Sequence, residues 1–164
     1  SITRKLFSML AHCLRHLDRS PEAVPVLAEG RRHFPEDAEL IYGEAQLRLE
    51  GGDAAGAERL ARELLAGKEK AHFASVDASL RGAKARHLLA AALLFQDRRA
   101  DAEHEWQGLL ASDADYRPAW LGLGELYLRE SRWAEVAVAV GRLGPGSPEG
   151  AALREKAARA GAAL

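Results

Sequence analysis

The sequence predicts an all-α fold, a solenoid of about four helical hairpins closed by a C-terminal capping helix. Three observations lead there. Apolar residues recur at i, i+3, i+4 and i+7 along most of the chain, the spacing of one helical face. That spacing returns at a step of 34 residues, the mark of a stacked repeat. Gly, Pro and Ser fall where one helix should stop and the next begin, and no alternating apolar pattern of a β-strand survives inspection.

The first hairpin, about residues 4–37, presents Phe7, Leu10, Ala11 and Leu14 on its first helix. Ala23 and Leu27 follow on its second, and Pro35 closes the unit. Ser20-Pro21-Glu22 predicts an N-cap followed by proline in the first turn. The second hairpin, about 38–71, repeats the register with Ile41, Glu44, Ala45 and Arg48, then Ala57, Ala61 and Leu64. Glu44 and Arg48 stand at normally apolar places, so this unit is degenerate, yet its small residues Ala45 and Ala57 hold. Small side chains belong where paired helices approach most closely, because bulk would force them apart. Gly51-Gly52-Asp53 predicts the turn between its helices. The third hairpin, about 83–116, carries Arg86, Leu89, Ala90 and Leu93, then Ala102, Trp106 and Leu109; Arg86 departs from the apolar pattern. The fourth, about 117–150, is the clearest: Trp120, Leu123, Gly124 and Tyr127, a turn at Ser131-Arg132, then Trp133, Val136, Val140 and Leu143. Gly144-Pro145-Gly146 breaks it, and Ser147-Pro148-Glu149 opens a capping helix over about 148–161. From Ala57 to Ala102 the step is 45 residues, which places an insertion of about eleven within 66–82. The three tryptophans fall on the repeat pattern and are expected in the core.

The pattern W-x2-L-G-x2-Y over Trp120–Tyr127, small or apolar residues in the next helix, and Pro148 resemble the tetratricopeptide repeat. The resemblance spans Arg4–Pro148 and implies a right-handed superhelical solenoid that binds a peptide or protein. In that family the first helix of each hairpin lines the concave side. The resemblance therefore implies a groove from Lys5, Met9, His12 and Arg15, then Tyr42, Gln46 and Leu49, then Lys84, His87 and Ala91, and finally Leu121, Glu125 and Arg129.

Composition and charge narrow the function classes. A net charge of −1 lacks the global signature of a nucleic-acid binder. The charge is nevertheless banded: residues 1–33 hold six Lys/Arg against three Asp/Glu, and 34–69 hold four against nine. Such bands steer a partner locally. Cys13 is the single cysteine, which excludes an intramolecular disulfide and favours a reducing, cytoplasmic setting. No run of eighteen apolar residues suggests a membrane span, and no signal peptide is evident. The absence of an initiator Met predicts a fragment of a longer or processed protein.

Several constellations suggest chemistry and fall short of it. His12 and His16 share a helix face at i, i+4, but zinc needs three or four ligands and Cys13 points about 100° away. His104-Glu105 lacks the second histidine of a metalloprotease helix, since Gly108 takes its place. His72, Ser75, Asp77 and His87 form a nucleophile, base and orienter only on paper, without the glycine pattern of a nucleophile elbow. Gly51-Gly52 and the glycines of 141–146 lack a phosphate-loop Lys-Ser/Thr and read as turns. No catalytic residue, cofactor or metal is expected in this segment.

The stretch Lys68–His87, which takes in most of the insertion, carries Lys68, Lys70, Arg81, Lys84 and Arg86 near His72, Phe73 and His87, against Glu69 and Asp77, which suggests contact with an acidic or phosphate-bearing partner. The run from Phe73 to His87, followed by Leu88-Leu89-Ala90, resembles a segment in the repeat regions of some bacterial family 2 glycosyltransferases. That resemblance implies an alternative function: a non-catalytic tail that positions an acceptor or self-associates, with a nucleotide-sugar-dependent domain on its N-terminal side. The Asp-x-Asp-type metal and nucleotide motif of such a domain is absent, so no transfer activity is expected. The expected partner is a protein or peptide, an adjacent catalytic domain of the same chain among the candidates, and homo-oligomerisation stays open.

Overall fold

A computed structural model describes residues 2–67 and 78–164. Among them the chain is all-helical. The α-helices are α1 (Ile2–His16), α2 (Ser20–His33), α3 (Ala38–Glu50), α4 (Ala54–Ala66), α5 (Ala83–Phe95), α6 (Arg99–Ser112), α7 (Arg117–Arg129), α8 (Trp133–Leu143) and α9 (Pro148–Arg159), with a 3₁₀ turn over Ala78–Arg81. The chain divides into two compact units, Ser1–Gln96 and Asp97–Leu164. Consecutive helices pack on one another in each: α1 to α5 in the first, α6 to α9 in the second. The third predicted hairpin straddles the division, with α5 in the first unit and α6 in the second.

The turns inside the hairpins reproduce the sequence register in the backbone. Asp18, Gly52, Asp97 and Ser131 all adopt positive φ, between 54° and 88°. They stand 34, 45 and 34 residues apart, the steps read from the side-chain pattern. The next residue then bonds back over the helix end. The N–H groups of Arg19, Asp53 and Arg132 donate to the carbonyls of Leu14, Arg48 and Tyr127 at 2.8, 2.8 and 2.9 Å. This left-handed closure satisfies carbonyls that a helix C-terminus otherwise leaves unpaired. Helix starts are less uniform. The side chains of Asp37, Asp53 and Ser147 accept from the N–H groups of Leu40, Gly56 and Gly150. Ser20, expected as a cap, is instead the first residue of α2; Arg19 precedes it, engaged in the left-handed closure, and no side chain caps that end.

The small positions form the inner layer. Ala11, Ala45, Ala90 and Gly124 are buried on the first helices; Ala23, Ala57, Ala102 and Val136 are buried on the second helices. Bulk enters one turn later, where Leu27, Ala61, Trp106 and Val140 vary in size and all remain buried. At Gly124 even a Cβ would press on Leu153 of α9 and approach Ala139, which explains glycine where the other hairpins have alanine. Two expectations need correction. Leu10 is 50% exposed, because Phe7, Ala11 and Leu14 already fill the side of α1 that meets the core. Trp106 is buried, but Trp120 and Trp133 are only half-buried. The Trp120 indole N–H donates to the Ala114 carbonyl at 2.8 Å, and Arg142 lies 5.5 Å from the ring centroid.

The two polar intruders of the second hairpin form a chain of ion pairs. Arg31 of α2 meets Glu44 at 2.7 Å, Glu44 meets Arg48 at 2.8 Å, and Arg48 meets Asp53 at 2.7 Å. Arg31 also reaches Glu63 of α4 at 2.9 Å. The Glu44 side chain is only 13% exposed. Burial opposes its ionisation, but hydrogen bonds from Arg31 and Arg48 outweigh burial and hold the carboxyl below the usual glutamate range. In the second unit, Arg132 clasps Glu103 of α6 and Glu135 of α8 at 3.0 Å each, and lies 4.4 Å over the Tyr127 ring.

Two stability predictions arise. Ala57→Leu and Ala102→Leu should each destabilise by about 1–3 kcal/mol through overpacking; chemical denaturation of both variants checks this, and unchanged midpoints would show the register to be wrong. Glu44→Gln should destabilise at neutral pH by about 1–3 kcal/mol, since it leaves two guanidinium groups short of a partner. Because the folded-state pKa of Glu44 is depressed, its contribution is present above the ordinary glutamate range and is lost as pH falls through the folded value. Parent and variant should therefore converge in urea unfolding at acid pH; a difference that persists there would remove Glu44 ionisation as the cause.

Candidate binding cleft

Helical geometry brings residues three, four and seven apart onto one face, and α1 and α3 each present such a row. Ser8, His12 and Arg15 form the row on α1; Glu39, Tyr42 and Gln46 form it on α3. The helices pack side by side, and the rows bound an open cleft of about 490 Å³. Ala11, Leu27, Gly43 and Leu47 supply apolar lining, and Leu80 of the 3₁₀ turn and Lys84 of α5 complete it. Helices α1, α3 and α5 thus contribute to one cavity within the first unit.

Five residues predicted for the groove meet here: His12, Arg15, Tyr42, Gln46 and Lys84. The Arg15 guanidinium donates to Glu50 through Nε at 2.9 Å and to the Gln46 amide oxygen through Nη1 at 3.1 Å. That fork fixes both cleft-wall side chains and directs the amide oxygen of Gln46 to Arg15, so its amide nitrogen is the group left to meet another acceptor. The mixture of an imidazole, a phenol, an amide, charges of both signs and leucines matches the lining of a recognition site.

Other predicted residues lie elsewhere. Lys5 and Met9 are exposed on α1 and Leu49 is half-buried on α3; none lines the cleft. His87 is half-buried on α5, and burial pushes its imidazole below the ordinary histidine range. Leu121, Glu125 and Arg129 belong to α7 in the second unit, where Leu121 and Arg129 are exposed and Glu125 pairs with Lys156 of α9. Arg81 serves the fold: it donates to the carbonyls of Glu36 at 2.6 Å and Leu64 at 3.4 Å, strapping the 3₁₀ turn to the α2–α3 connection and the end of α4. His72, Phe73 and Asp77, with Ser75, Lys68 and Lys70, lie outside the described residues.

Sequence reasoning missed Ser8 and Glu39, although each lies one helical turn before a predicted residue and extends the same row. It also missed Leu80, for which no periodic signal exists. The rings of His12 and His16 meet edge to face with centroids 4.3 Å apart. Among the described residues, no three or more His, Cys, Asp or Glu gather as a metal-holding group, and no helix is long and apolar enough to cross a membrane.

No protein-family model matches this chain, and no curated protein matches it in sequence.

Gln46→Glu should keep the helices but disturb the fork, because a second carboxylate beside Glu50 would compete for Arg15. A modest change in stability, on the order of 1 kcal/mol for a half-buried group, with unchanged far-ultraviolet circular dichroism is the expected outcome. Loss of helix content would mean that the cleft wall is part of the core.

Proposed function

We propose that this chain is a tetratricopeptide-type helical-repeat module that binds an extended peptide or protein segment, seated in the cleft of α1, α3 and α5. The observation that carries this reading is the convergence of His12, Arg15, Tyr42, Gln46 and Lys84, drawn from the first helices of three successive hairpins, on a single open cavity. The left-handed closure that recurs at the repeat steps supports a solenoid built from one kind of hairpin. A cavity of this size takes a few residues of a peptide, with Leu27, Leu47 and Leu80 receiving an apolar side chain and the polar row meeting the peptide backbone. The role is contact without catalysis.

The test uses peptides selected from a random display library against the whole chain. Tyr42→Ala and Gln46→Ala should each weaken the best selected peptide by about tenfold, on the order of 1.4 kcal/mol. Val138→Ser, on an exposed site of α8, should leave affinity unchanged. If selected peptides bind the Tyr42→Ala, Gln46→Ala double variant as tightly as the parent, the cleft is not the seat.

A further inference from the structure

The cleft uses one side of α1; the opposite side carries an apolar stripe that no described residue covers. Ile2, Leu6, Met9, Leu10, Cys13 and, just past the helix, Leu17 lie within about 100° of one another on the helical wheel, and all six are exposed. Scattered surface leucines need no explanation, but a continuous stripe along a whole helix marks an interaction surface.

The other hairpins indicate what belongs on it. At the repeat steps, Leu6 and Cys13 correspond to Leu40 and Leu47 in α3, Ala85 and Ala92 in α5, and Ala119 and Leu126 in α7. All six counterparts are at most 6% exposed, whereas Leu6 is 58% exposed. Leu40 and Leu47 are buried in a cluster with Ala11, Ala23 and Leu27 of the preceding hairpin. The stripe on α1 is therefore the surface that, in α3, receives an Ala/Leu-faced helical hairpin.

Charge distinguishes the two cases. The junction before α3 is sealed by arginines of the preceding hairpin on carboxylates of the following segment: Arg4 on Asp37, Arg31 on Glu44 and Arg15 on Glu50. The counterparts of those carboxylates are Thr3, Leu10 and His16. The segment Ile2–His16 contains no acidic residue, and exposed Lys5, His12 and His16 border the stripe. A basic hairpin would find no acceptor there. A second copy of the chain fits poorly too, because its Ala23–Leu27 surface is already filled by its own α3, and two α1 helices would face each other without a carboxylate between them.

We infer that the outer face of α1 is a docking site for an Ala/Leu-faced helical hairpin with acidic flanks. The apolar row covers Leu6, Met9 and Cys13, and the flanking carboxylates meet Lys5 and the histidine edge.

Cys13, the one cysteine, is a probe already in place at the centre of the stripe. The whole chain is titrated with a stapled helical peptide bearing Ala and Leu at i, i+3, i+4 and i+7 with Glu on both flanks, and separately with its twin bearing Lys. Binding is read by peptide fluorescence anisotropy and by the rate of Cys13 alkylation. The Glu peptide should bind saturably and protect Cys13, and the Lys peptide should bind at least about tenfold more weakly. Leu6→Glu and Met9→Glu, both at exposed positions and checked for parental helix content, should each cut affinity by about tenfold or more; Val138→Glu should not. Equal binding of the two peptides, or no protection of Cys13 by either, overturns the inference. It is equally overturned if the chain alone sediments as a dimer with Cys13 protected, or if vesicles of phosphatidylserine and phosphatidylcholine protect Cys13 while the Glu peptide does not.

Discussion

The close approach of paired helices at small side chains is the constraint on which the rest of this structure depends. Ala11 and Ala45 on first helices, Ala23 and Ala57 on their partners, and Gly124 on α7 are all buried where packed helices meet. A methyl-sized gap decides whether neighbouring leucines interdigitate or stand apart, because protein interiors tolerate neither voids nor overlap. The left-handed residue between α1 and α2, between α3 and α4 and between α7 and α8 follows from the same demand, since it returns the second helix at once onto the face of the first. Asp and Ser take that conformation at three of the four turns, and glycine only at residue 52. The strain of a single left-handed residue is met by the bond it permits across the helix end.

The second hairpin shows how a repeat survives the loss of its apolar pattern. Glu44 and Arg48 replace apolar residues, and Arg31 and Asp53 complete an alternating chain of charges around them. Removing part of such a chain is more damaging than never having it, because the remaining charge stays half-buried without its partner. Polar groups that look like defects along the sequence thus become a clamp between α2, α3 and the α3–α4 turn.

The three faces of α1 show how one helix divides its residues between core, cleft and solvent. Phe7, Ala11 and Leu14 face the core, Ser8, His12 and Arg15 face the cleft, and the apolar remainder is exposed. The cleft was largely legible in the sequence because a helical row, once one member is placed, fixes its neighbours a turn away. The same rule reaches Glu39 from Tyr42 and Ser8 from His12, the two residues that the sequence reading had left out. Lys5, Met9 and Leu49 were assigned to the same groove through the family resemblance, and none of them lines the cavity.

The sequence by itself determined what is local: helix content, the positions of the turns, the 34-residue step and the small positions, all consequences of side-chain periodicity and backbone chemistry within a few residues. Tertiary structure alone decided what is distant. It brought Leu80 to the cleft from the insertion, turned Arg81 inward to cap carbonyls of two other segments, and buried Leu40 and Leu47 while leaving their counterparts Leu6 and Cys13 exposed. The physical reason is that burial belongs to a pair of surfaces. A helix carries its apolar row in its sequence, but whether that row is core or interface depends on which other helix reaches it.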